Sequence, residues 1–137
     1  MEQPERGNIG DLVCWRIETA KSDLQSADIL LKEGEYRGAN NRAYYAIYHA
    51  ISAVHALDGR SYKRHKDTLA NFNKDYVKTE IFPRMFGRRI ARAEEIRHAS
   101  DYDDFYIATK EKTEEQIMTA KELIEQIENY CLNRLEE

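Results

Sequence analysis

The residues best suited to chemistry lie between Glu94 and Phe105, where Arg97 and His98 are followed by Asp101, Tyr102, Asp103 and Asp104. An arginine presents a planar fork of donors that matches the oxygens of a phosphate. Beside it stand a titratable imidazole and, one turn on, a phenol and three carboxylates. Such a set can hold an anion and move a proton. Three aspartates also suggest a divalent cation, yet the alternating oxygens, central glycine and terminal glutamate of a calcium loop are absent. No metal and no cofactor are expected, and the acidic residues read as a helix cap. A plainer alternative stays open, in which Arg97 and Asp101 form a salt bridge that only fixes the turn.

A second constellation runs from Arg42 to His49 through Tyr44, Tyr45 and Tyr48. At ~100° per helical residue, Arg42, Tyr45 and His49 share one stripe and Tyr44 and Tyr48 the next. Two readings follow. The face is packed aromatic core with hydrogen-bonded hydroxyls, or it is a polar notch where Arg42 and His49 support a phosphate site. His55 and His65 have no comparable constellation. His65, between Arg64 and Lys66, reads as an exposed loop or helix-start residue.

Upstream of Arg97, Arg84, Arg88 and Arg92 recur at offsets of four, with Arg89 beside them. Like charges aligned in this way repel by a few tenths of a kcal/mol per pair, which a bound polyanion or acidic surface would relieve. The charge balance agrees. Residues 60–98 hold 11 Lys/Arg against 5 Asp/Glu, a net +6, whereas the rest of the chain is −10. The basic middle either attracts a polyanion such as RNA or pairs with acidic helices inside the fold.

These residues must be positioned by helices. Apolar residues recur every three or four positions over Asp11–Glu33, Tyr36–Leu57, His65–Val77, Met85–Ala99 and Thr109–Leu135. Gly34 and Asp58-Gly59 read as stops, Pro83 as a helix start, and Ser100 with Asp101 as turn residues. Thr113 with Gln116 could form a local cap. With 2 prolines, 6 glycines and no strand signal, the 137 residues read as one domain. It is expected to be an all-α, largely antiparallel bundle of four long helices and one short one. No apolar run approaches the ~20 residues that cross a bilayer, and Glu2, Glu5 and Asp11 are unlike a signal peptide. Cys14 and Cys131 fit no zinc or disulfide pattern, so a reducing cytoplasm is expected.

The pattern Gly-Glu-Tyr-Arg-Gly-Ala-Asn-Asn-Arg-Ala-Tyr-Tyr-Ala at 34–46, a His-Lys helix from 65 and Arg-x-x-x-Asp-Tyr-Asp at 97–103 resemble the HEPN family. The likeness is to small single-domain prokaryotic members. It implies the same bundle as a homodimer with two signature helices facing across a cleft. It further implies a metal-independent endoribonuclease, often partnered by a minimal nucleotidyltransferase in a toxin–antitoxin pair. The family motif is an arginine, a polar residue and a histidine, with four to six residues between arginine and histidine. Arg97 matches the arginine and His98 the polar residue, but Tyr102 stands where the histidine would. Tyrosine titrates near ~10 and histidine near ~6.5, so the proton work would fall to His98, to a shifted Tyr102, or to His49 from the neighbouring helix. The competing implication is a non-catalytic module that binds a nucleotide or its nucleotidyltransferase partner in the same cleft.

Overall fold

The computed structural model describes residues 8–136, so Glu2 and Glu5 lie outside the described residues. Four long helices and one short one form the bundle, with no strand among the described residues. Helix α1 spans Ile9–Lys32 and starts before Asp11, because the Asn8 side chain accepts the Asp11 N–H and caps the first turn. Val13, Ile17, Ala20 and Ala27 form its buried stripe. At its end Gly34 takes φ +77°, its N–H bonds the Leu31 carbonyl, and the Glu35 N–H reaches back to Leu30. That closure requires a left-handed residue, which glycine adopts at little cost.

Helix α2, Tyr36–Leu57, is the central element and packs against every other helix. Ala39, Ala43, Ala46, Ala50, Ala53 and Ala56 are all buried along it. Small side chains on several faces let neighbouring helices approach closely, while Tyr44, Ile47 and Ile51 fill the space between them.

Helix α3 spans His65–Phe72 and then widens into a π-helical turn over Asn73–Val77. The uniform helix expected over His65–Val77 is corrected here. The Lys78 N–H bonds the Asn73 carbonyl across the wider turn, and Tyr76 and Val77 both enter the core. The Tyr76 hydroxyl donates to Asp58 at the end of α2. Helix α4 spans Met85–Tyr102 and α5 spans Lys110–Leu135. The cap of α5 is Thr109, whose hydroxyl accepts the Lys112 N–H; Thr113 and Gln116 instead bond the carbonyls of Thr109 and Lys112. One main core joins all five helices, with Phe72, Phe82, Phe86, Leu123 and Ile127 fully buried. Among the described residues, no helix is long and apolar enough to cross a membrane.

Candidate functional site

The end of α4 is built by α2. Helix α4 continues through Ser100 and Asp101 to Tyr102, three residues past the expected stop at Ala99. Arg37 explains the difference: its guanidinium donates to the carbonyls of Ser100, at 2.8 Å, Asp103 and Tyr106. Those acceptors are C-terminal helix carbonyls and turn carbonyls that lack helical partners. Asn40 donates to the Ser100 hydroxyl at 3.2 Å, and Asn41 to the Asp101 carboxylate at 2.9 Å. The turn-forming residues are thus held in a helix by three side chains from another element.

Arg97 faces inward from this end. Its guanidinium carbon lies 4.5 Å from the centre of the Tyr44 ring and 5.9 Å from that of Tyr45. Its Nη1 sits 3.6 Å from Asp101, and its side chain is only 14% exposed. Burial pushes the Tyr44 phenol up to about 12, against the pull of the Arg97 cation, so Tyr44 remains a neutral partner at neutral pH. The salt bridge expected between Arg97 and Asp101 is present, and the stacking on tyrosine adds to it.

His98 and Tyr102 occupy the next stripe of α4. Their rings are 4.9 Å apart and both residues are exposed. The helix therefore separates the three motif residues, with Arg97 turned towards α2 and the His98–Tyr102 pair towards solvent. They still share an edge, because a cleft of about 520 Å³ is lined by Glu94, Glu95, Arg97, His98, Ala99 and Asp103.

The second constellation packs as its spacing predicts. Arg42 lies over the Tyr45 ring at 5.1 Å, and the Tyr45 and His49 rings are 6.2 Å apart. What the spacing could not reveal is Asp23 of α1, which sits 3.0 Å from Arg42 and 3.6 Å from His49. Burial holds the His49 imidazole below its ordinary value although Asp23 pulls it up. Arg42 and His49 are thus tied to a carboxylate.

His65 starts a helix, as one of its two expected positions had it, but it is half-buried there rather than exposed. Its ring lies on Tyr48 with centroids 4.0 Å apart and planes inclined by 30°, and its Nδ1 is 3.2 Å from the Tyr44 hydroxyl. Burial, then the Arg97 charge, lower its affinity for a proton, partly offset by Glu94. Tyr44 thus stands between Arg97 on its face and His65 at its hydroxyl.

The upstream arginines divide. Arg89 donates to the Thr119 hydroxyl at 3.0 Å, pairs with Glu122 at 2.6 Å and lies over Phe86. Arg92 is exposed beside it, at a cleft of about 410 Å³ that also carries Glu111, Glu114 and Glu115 of α5. Arg84 and Arg88 are exposed, and among the described residues neither has a carboxylate within 4.0 Å. Both readings of the basic segment therefore apply to different residues: Arg89 pairs inside the fold, and Arg84 and Arg88 stay available to a ligand. Among the described residues, no group of three or more His, Cys, Asp or Glu side chains could hold a metal ion.

The family model for the HEPN domain matches residues 13–130, which include α2, α3, α4 and most of α1 and α5. The chain belongs to the HEPN family. A UPF0332 protein of Thermotoga maritima is 32% identical over 114 residues, covering 83% of this chain and 86% of that protein. A Methanocaldococcus jannaschii protein named "Putative toxin MJ0605" is 31% identical over 111 residues, or 81% of this chain and 82% of its own. A second protein of that organism with the same kind of name is 24% identical over 118 residues, 86% and 80% of the two chains. This HEPN chain thus combines the family fold with an inward arginine at 97 and a tyrosine at 102.

Proposed function

We propose that this HEPN protein is a toxin-type, metal-independent endoribonuclease that acts as a homodimer in the cytoplasm. The observation that carries the reading is the setting of Arg97. Tyr44 and Asp101 hold its guanidinium at the edge of a cleft that it shares with an imidazole, His98. A fixed guanidinium suits the phosphoryl oxygens as charge develops on them. The RNA 2′-hydroxyl would attack the adjacent phosphorus, leaving a cyclic phosphate and a free 5′-hydroxyl. His98 would give a proton to the departing 5′-oxygen, with Tyr102 packed against its ring. Arg84 and Arg88, exposed along α4, would draw in the RNA backbone. The names of the two archaeal relatives support a toxin role.

Dimerisation would join two α4 ends, where Phe105 is 94% and Ile107 80% exposed. Light scattering tests this part, and a concentration-independent monomer would exclude a composite cleft. Cleavage of structured RNA with chelator present tests the activity. Arg97→Ala should abolish it, because losing one oxyanion-type donor costs ~100- to 1,000-fold in rate.

A second reading is favoured by the carboxylates of Glu94, Glu95 and Asp103, which line the same cleft. They weaken its attraction for RNA and suit a basic protein surface. The chain would then be a non-catalytic module that binds a nucleotide or a minimal nucleotidyltransferase acting as antitoxin. Retained partner or nucleotide binding without any wild-type cleavage would select this reading.

A further inference from the structure

We propose that His65 is the general base of this site, taking the 2′-hydroxyl proton on its Nε2, an assignment that rests on the ribonuclease reading. The tyrosine at position 102 leaves the HEPN chain without the motif histidine on α4, while an imidazole of α3, His65, lies near enough to the same arginine to feel its charge. The Tyr44 side chain links them, with Arg97 over its ring at 4.5 Å and the His65 Nδ1 3.2 Å from its hydroxyl. The ring of His65 is fixed by Tyr48 at 4.0 Å and by Tyr45, edge-on at 5.6 Å. Its Nδ1 is engaged, whereas its Nε2 has no hydrogen-bond partner among the described residues, and the residue is half-buried. An oriented imidazole with one free nitrogen can serve as a general base for a substrate hydroxyl that comes within hydrogen-bond reach of it.

The base is the tautomer in which Nδ1–H donates to the Tyr44 oxygen, which leaves the lone pair of Nε2 free to accept a proton; in the other tautomer the Tyr44 O–H donates to Nδ1 and Nε2 carries the hydrogen. The groups facing His65 are Tyr44, Tyr45, Tyr48 and His49 from α2 and Glu94 and Arg97 from α4, with Arg64 and Lys66 flanking it in sequence. Burial and Arg97 outweigh Glu94 and keep the imidazole unprotonated at neutral pH, the form a base needs. In the step itself the 2′-O–H bond breaks and its proton moves to Nε2. The 2′-oxygen bonds phosphorus, and the phosphorus–5′-oxygen bond breaks with its electron pair going to the 5′-oxygen. That oxygen takes a proton from His98. The imidazolium of His65 then returns its proton to solvent and His98 takes one from it, which restores both groups.

The test is the pH dependence of kcat/KM for RNA cleavage with chelator present, in the full chain. The wild-type profile should rise along an acid-side limb with its midpoint below the ordinary imidazole value. His65→Ala should lower kcat/KM by ~100- to 10,000-fold and remove that limb, and free imidazole in the buffer should restore part of the rate. His65→Gln keeps a polar side chain at Tyr44 and should lose the limb equally, which covers the case in which the alanine variant does not fold. Tyr44→Phe should move the limb and leave it present. A full rate with the limb intact in His65→Gln, while Arg97→Ala abolishes cleavage, would overturn the His65 assignment and leave the ribonuclease reading standing. No wild-type cleavage at any pH would overturn both.

Discussion

The guanidinium of Arg97 lies 4.5 Å from the centre of the Tyr44 ring, so the residue best suited to bind phosphate is also a packing element between α4 and α2. This double role changes what its removal should do. A cation over an aromatic face contributes about 0.5–2 kcal/mol depending on desolvation, and Arg97 is largely buried. Arg97→Ala should therefore lower stability by about 1–2 kcal/mol as well as abolish cleavage. Arg97→Lys keeps the charge but loses the planar fork. It should recover part of the stability and little of the activity, as read by thermal midpoint and cleavage rate. Full activity in the lysine variant would show that the fork is not used.

Arg37 is the keystone of the α4 end, since it donates to three backbone carbonyls between Ser100 and Tyr106. Hydrogen bonds from charged donors contribute about 1.5–3 kcal/mol each at most, with partial replacement by water on removal. Arg37→Ala should destabilise the protein by about 2 kcal/mol. It should also speed amide hydrogen exchange at 100–106 ahead of the rest of α4. Uniform exchange along α4 in that variant would contradict the role.

Stability should depend on pH through the histidines. His55 is buried, its Nε2 is 2.9 Å from the Thr68 carbonyl, and burial lowers its pKa; His49 and His65 are lowered too, burial being the largest cause in each. The unfolded chain then binds protons first as pH falls. Stability is complete above the unfolded histidine value near ~6.5 and declines below it until the folded values are reached. Chemical denaturation at pH 7.5 and 5.5, roughly either side of that value, should give a smaller free energy at the lower pH. His55→Asn should flatten part of the slope, although it lowers stability overall. A slope of opposite sign would contradict the burial of these imidazoles.

The arginines of α4 should separate by function. Replacing Arg84 and Arg88 with alanine should weaken RNA binding and make it less sensitive to salt. The log–log slope should fall by about 0.7–0.9 for each phosphate that is no longer neutralised. Arg89→Ala should act mainly on stability, because Glu122 and Thr119 already occupy its guanidinium. Binding curves at several salt concentrations distinguish the two groups, and an unchanged slope in the double variant would remove α4 from the RNA path.

Helix positions were legible in the sequence because the apolar period follows the buried faces, as at Val13, Ile17 and Ala20. Features set by another element were not. The extension of α4 past Ala99 depends on Arg37, Asn40 and Asn41, whose signal was present only as polar residues spaced along α2. The π-helical turn at Asn73–Val77 leaves no periodic trace in so short a segment. Within the site, the Arg42–Tyr45–His49 stripe followed from helical geometry alone. Asp23 and His65 did not, because each reaches the stripe from a different helix and neither belongs to a local motif. The shared stripe of His98 and Tyr102, distinct from that of Arg97 and Asp101, was implicit in their offsets of four.

The central claim is cleavage of RNA without a metal, and end-group analysis of the products tests it most directly. Purified wild-type protein, incubated with a structured RNA in excess chelator, should yield fragments that end in cyclic phosphate and begin with a 5′-hydroxyl. Arg97→Ala should yield none above background. Intact RNA after prolonged incubation with the folded wild-type protein, or cleavage that persists unchanged in Arg97→Ala, would contradict the account.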